Sequence, residues 1–266
     1  MRPFPILRQT VRSHIRAGLL MSLIMLLLGF GMVQVYPSVK EISGLQELLA
    51  DPIYRALLGP TILDMSLLEG YLTIEVFAFL WIFVAPFVLL LGANAVSTEI
   101  EGKTIDILLS HPVKRHSVVF GKFMAIMLYL TIVMAITWLG LIWGIQNIGE
   151  SIDQLRLFYA ILAAYILFTA ITSYSFLFSC IYDDARKALA ASFGVLFGTY
   201  FIDTLANIVD ALEPLKYLSP FHYYNPGEIL FEGAFNTQHL LTLIFFSTAT
   251  MLVSTYWFQR KDIYVT

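Results

Sequence analysis

The chain has 266 residues, 58% hydrophobic and only 13% charged, with a net charge of −3 and a mean hydropathy of +0.76. Soluble domains carry about 25% charged residues, so composition excludes an ordinary water-soluble fold, and no nucleic-acid partner is expected. In lipid the backbone has to satisfy itself, which leaves helices or a closed barrel; the apolar runs are too long and unbroken for barrel strands of about ten residues. The chain therefore reads as an all-α integral membrane protein. The lone Cys180 sits inside an apolar run, so it reads as a packing residue, with no disulfide frame and no metal site.

Residues 1–16 carry Arg2, Arg8, Arg12 and Arg16, with Leu7, Val11 and Ile15 four apart beside them. That spacing predicts an N-terminal amphipathic helix lying in the interface; an ordinary cationic flank fits the same residues. The first span covers residues 17–36, long enough for a core of about 30 Å. It exceeds a signal-peptide core, and no small-residue cleavage pattern follows in VQVYPSVK, so it is expected to be retained. A loop over 37–69 follows, with two short helices expected on either side of Asp51-Pro52, because proline disfavours helix in the residue before it.

Span two covers 70–96, with a kink expected at Pro86. Spans three to six cover 123–145, 155–182, 188–209 and 239–258, joined by a polar turn at 146–153, a tight link from Asp183 to Lys187, and a long loop at 210–238. Six spans put both termini on one side, together with Lys103, Lys114, Arg115, Lys122, Arg186, Lys187, Arg260 and Lys261. Only Lys40, Arg55, Arg156 and Lys216 fall on the other side, so the basic residues divide twelve to four. Basic residues concentrate in cytoplasmic loops, so both termini are expected in the cytoplasm.

The largest loop on the basic side is a charged island from Glu99 to Lys122, EIEGKTIDILLSHPVKRHSVVFGK. Within it Ile105, Leu108 and Leu109 face away from Lys103, Asp106 and Ser110, and Pro112 ends the pattern. Such a helix buries its stripe in the lipid interface or in a partner's groove; a surface helix that contacts nothing is the third reading. Gly102-Lys103-Thr104 looks like the end of a phosphate-binding loop, but Ser97 stands where that motif needs glycine, and no strand precedes it. The chain is not expected to hydrolyse ATP.

The pattern Glu101-Gly102-x-Thr104-x-x-x-Leu108-Leu109-x-x-Pro112-Val113-x-Arg115, then Gly121-Lys122, resembles the first cytoplasmic loop of ABC-2 type permeases. LQELLADPIYRALLG, the run from Leu218 to Pro226, and Phe258-x-Arg260-Lys261-Asp262 resemble other parts of that family, so the likeness covers residues 1–266 as a single transmembrane domain. Thr104-Ile105-Asp106 departs mildly from the family's usual Thr, Leu and Glu. The resemblance implies a coupling helix between spans two and three that docks on an ABC ATPase subunit, with Glu99, Glu101, Gly102, Thr104, Leu108, Leu109, Pro112 and Arg115 as coupling residues. It also implies that the partner binds ATP and Mg while this chain holds no cofactor. A second permease copy or paralogue completes the pathway, and the complex exports its cargo across the plasma membrane.

Polar residues inside the spans are costly, about 2.5–3.5 kcal/mol at mid-bilayer. Glu75 and Asp203 each lie about a turn from the outer end of their spans, and Thr199, Asp203, Asn207 and Asp210 share a helix face. They fit an outer vestibule or a cation or proton site; they equally fit interfacial carboxylates reaching water. Ala190, Gly194 and Gly198, like Gly140 and Gly144, stand four apart, a spacing that lets backbones approach closely. The resemblance tilts the first of these stripes toward a dimer contact. In the second outer loop Tyr217, Phe221, Tyr223 and Tyr224 alternate with Pro214, Pro220 and Pro226, fitting a shallow re-entrant segment or an aromatic belt.

Two other classes compete. A membrane-embedded enzyme would need a catalytic constellation, yet none of His14, His111, His116, His222 and His239 forms H-E-x-x-H, and no G-x-S-x-G occurs. A structural or sensory membrane protein would lack an ATPase partner.

Overall fold

The computed structural model describes residues 4–40, 65–103, 115–233 and 236–261. Helix dominates throughout, and among the described residues there is no strand. Six helical segments are long and apolar enough to cross a membrane. The first is α1, Phe4–Lys40. The second is built from α2, Leu68–Tyr71, a π-helical stretch, Leu72–Phe77, and α3, Leu80–Glu101. The others are α4, Arg115–Asn147, α5, Gln154–Ile181, α6, Ala185–Ala206, and α8, Thr237–Arg260. Between α6 and α8 lie two 3-10 turns, Asp210–Leu218 and Pro220–Tyr223, and the short helix α7, Pro226–Glu232. The two short helices expected around Asp51-Pro52 lie outside the described residues.

Local chemistry explains most of the boundaries. Asp153, Asp184, Asn225 and Asn236 each precede a helix and accept hydrogen bonds from backbone N–H groups of its first turn, which satisfies donors the helix leaves free. Pro226 opens α7 and Gly233, in the left-handed region at φ 69°, closes it, the usual division of labour between those residues. The cap at Asp184 starts α6 at Ala185, three residues before the expected span.

Two expectations change. The amphipathic N-terminal segment is not a separate element; it forms the first turns of a 37-residue α1 continuous with span one. Likewise α4 starts at Arg115, eight residues before the apolar run, because charge ends a hydropathy signal without ending a helix. In span two the helix assignment continues through Pro86, and a π-helical stretch lies earlier, at Leu72–Phe77. Ala78 N–H donates to the Thr73 carbonyl at 2.9 Å, the i to i−5 bond of a π turn.

Packing sorts the helices. Of the apolar segment of α5, 67% is buried, against 17% for α6 and 22% for α8, so α5 is the central post and the last two line the periphery. The seam between α3 and α5 is small and polar. Ser179 Oγ accepts from Val96 N–H at 2.8 Å and Ser97 N–H at 3.0 Å, and Ser175 Oγ donates to the Leu89 carbonyl at 3.0 Å. On the other side α1 and α4 meet at glycine: a Cβ on Gly140 would lie 2.7 Å from the Leu26 carbonyl oxygen, and one on Gly144 2.8 Å from Val33. The Gly140 and Gly144 stripe therefore packs within the chain.

Candidate functional site

Antiparallel spans gather the two roots of the island, the link at 183–184 and the C-terminal end of α8 at one end of the bundle. Side chains tie them together there. Lys122, 6% exposed, pairs with Glu99 at 2.5 Å, so α3 and α4 are clasped just inside the island's two ends. Glu101 Oε2 accepts from Ala185 N–H, the first residue of α6, at 3.1 Å. Arg115 Nη1 donates to the Lys261 carbonyl at 2.7 Å and reaches the Phe258 and Gln259 carbonyls at 3.4 Å. It thereby covers the C-terminal carbonyls of α8, where a cation also meets the negative end of the helix dipole. Lys261 completes the ring, pairing with Asp183 at 2.6 Å and donating to the Cys180 and Ile181 carbonyls at 3.0 and 2.9 Å.

Of the sequence-predicted coupling residues, Glu99, Glu101, Gly102 and Arg115 are therefore at this end. Gly102 caps α3, its N–H donating to the Thr98 carbonyl at 2.9 Å, and Lys103 turns the chain away at φ 53°. Thr104, Leu108, Leu109 and Pro112, and with them the expected coupling helix, lie outside the described residues. The clasp joins the roots of the island to spans two, three, five and six. Behind it, a cavity of about 400 Å³ opens between α1, α3 and α4, with Gln9, His14, Asn94, Glu99, Lys122 and Tyr129 in its wall.

At the far end Lys40 pairs with Glu150 at 3.1 Å, and Tyr36 OH donates to the Ser66 carbonyl at 2.7 Å. Glu75 is half-buried in the π stretch and faces a small cleft shared with Met25, Gly29 and Thr137 of α1 and α4. Asp203 is half-buried on α6, and its Oδ1 has no hydrogen-bond partner among the described residues. Asn207 is exposed and caps α6, its N–H donating to the Asp203 carbonyl at 3.2 Å. Glu75 thus looks toward α1 and α4, while Asp203 belongs to the α6 side of the bundle. Trp81, Tyr200 and Phe221 pack there in tilted and edge-on contacts with centroids 4.4 to 5.6 Å apart and lock the aromatic loop onto spans two and five.

A family model described as ABC-2 family transporter protein matches residues 5–263. The chain belongs to that family. No curated protein matches it. Family membership makes it a multi-pass membrane subunit of an ABC transporter, a transport component and not itself catalytic.

In this ABC-2 subunit the stripe of Ala190, Gly194 and Gly198 is exposed, and a Cβ at Gly194 or Gly198 would meet nothing within 4 Å. Unlike Gly140, neither glycine faces a close neighbour among the described residues. Sequence reasoning missed Arg156, whose Nη1 donates to the Phe231 and Leu230 carbonyls at 2.6 and 3.3 Å and closes the end of α7. It also gave Lys261 no structural role. Locally the sequence offers only cationic charge beside a helix end and the neighbouring Asp153, which pairs with Arg156 at 3.4 Å; the carbonyls these side chains reach lie more than 70 residues away in the chain.

Proposed function

We propose that this chain forms the translocation pathway of an ATP-driven exporter in the plasma membrane, as a homodimer or with a paralogue, with both termini cytoplasmic. The island docks on a separate ABC ATPase subunit, which binds ATP and Mg. Closure of the ATPase pair moves the island, and the island's roots carry that movement into the spans. The observation that supports this is the clasp: Glu99–Lys122, Glu101 at the head of α6, and Arg115 at the end of α8. A displaced island has direct polar links to four spans, so a push from a partner has somewhere to go. The exposed Ala190, Gly194 and Gly198 face is the contact offered to the second permease.

The test separates docking from folding. Leu108→Asp puts a charge on the apolar stripe while leaving every clasp residue in place. The ATPase is expected to be lost on co-purification while the permease keeps its wild-type melting temperature. Co-purification at wild-type yield would overturn the docking role.

A further inference from the structure

The far end brings together two histidines that the transport reading does not use. His222 lies in the 3-10 turn Pro220–Tyr223 and His239 in the first turn of α8. Their ring centroids are 5.5 Å apart with the planes at 50°, and both side chains are half-buried. Tyr223 packs edge-on against both rings, at 5.1 and 5.3 Å. Among the described residues, no hydrogen bond or ion pair engages either imidazole.

That spacing has a chemical meaning. A metal–nitrogen bond is about 2.0–2.1 Å, and a ring nitrogen lies about 1 Å from the ring centre, so two imidazoles on one ion in open tetrahedral geometry have centroids about 5–6 Å apart. Ring packing alone gives similar spacings, since Tyr217 and Tyr223 each sit 5.1 Å from His222; the pair stands out because both its members are imidazoles with no hydrogen-bond partner among the described residues. We infer that His222 and His239 form a two-histidine site for a divalent transition metal of the zinc class, pinning the aromatic outer loop to the head of span six.

Imidazole suits such borderline ions, while magnesium and calcium prefer oxygen. Burial, then His239, then Lys216 hold the His222 pKa below its ordinary value. Lys216 is held by Glu213 at 2.8 Å, so the nearby cation is offset by a carboxylate. No third His, Cys, Asp or Glu joins the pair among the described residues; water fills the remaining positions, and the site is exchangeable in character. The metal site stands whatever the chain transports. That its occupancy restrains the outer mouth rests on the transporter reading.

The experiment uses the full-length chain in detergent, stripped with EDTA and titrated with zinc chloride. One zinc per chain is expected, with a rise in melting temperature, as for any ligand that binds only the folded state. His222→Ala and His239→Ala should each weaken binding about tenfold or more, the double variant little further, and His116→Ala not at all. Zinc-edge X-ray absorption on the wild type, which needs no variant to fold, should count two imidazole ligands. Absence of zinc binding, equal binding by the variants, or an edge spectrum without imidazole would reduce the pair to ring packing and overturn the site. Loss of zinc binding with unchanged transport would leave the site standing and remove only its control of the outer mouth.

Discussion

Lys122 is 6% exposed and Glu99 27%, so the two halves of the clasp are desolvated to different degrees. Removing one partner of a fully buried pair costs about 3–5 kcal/mol because the other charge is stranded. Glu99 retains some solvent, so Lys122→Met is expected to cost about 1–3 kcal/mol, below that range. Adding Glu99→Gln removes the stranded charge, and the double variant should recover most of the loss in a thermal-unfolding cycle. Equal and additive losses would mean that the two side chains do not act as a pair. Arg115 behaves differently, since its partners among the described residues are carbonyls at the end of α8. Arg115→Gln is expected to lower the melting temperature as well as ATPase retention, whereas Leu108→Asp lowers retention alone. If Arg115→Gln melted like the wild type, its contacts with α8 would not contribute to stability.

Two glycine stripes with the same spacing have opposite surroundings. At Gly140 a side chain would meet backbone, the Leu26 carbonyl oxygen at 2.7 Å, which cannot rotate away. Gly140→Val should therefore cost about 1–3 kcal/mol by overpacking and loosen α1 from α4. A Cβ at Gly198 would meet nothing within 4 Å, so with Gly198→Val the folded subunit should melt unchanged while association in detergent, measured by light scattering, weakens. A Gly198→Val permease that stays fully associated would remove α6 from the subunit contact. The spacing alone could not separate these cases, because a small-residue stripe records that something approaches and not what. Other boundaries have a local cause, since Asp153, Asp184, Asn225 and Asn236 cap the helices that follow them, yet hydropathy alone placed span five three residues late and gave no helix at Pro226–Glu232. The π turn at 72–77 was not legible, because a shift from i−4 to i−5 bonding leaves no mark on composition. Nor was the length of α1, since the arginines that end the hydropathy signal are compatible with helix.

For the whole bundle, the six spans were legible because twenty apolar residues in a row have few alternatives, and their antiparallel order followed from the count. The clasp was not, because Arg115 with Lys261, or Glu101 with Ala185, are brought together only after four spans have packed. The contacts now fix which loops share an end: Lys261 with Asp183, and Arg115 with the end of α8, at one, and Lys40 with Glu150 at the other. They leave the orientation of that bundle to charge, and the basic residues divide twelve to four in favour of the island end. At about 2.5–3.5 kcal/mol to place an arginine or lysine in the membrane, eight more of them on one side is a large bias. In a Cys180→Ser background, Ser110→Cys should resist a membrane-impermeant maleimide in intact cells and react once the membrane is opened. Ser151→Cys, exposed in the turn beside Glu150, should react from outside. Reaction of both cysteines from the same side would break the six-span path itself, whereas a clean exchange of the two would keep the path and invert the membrane orientation, putting the island out of reach of any cytoplasmic ATPase.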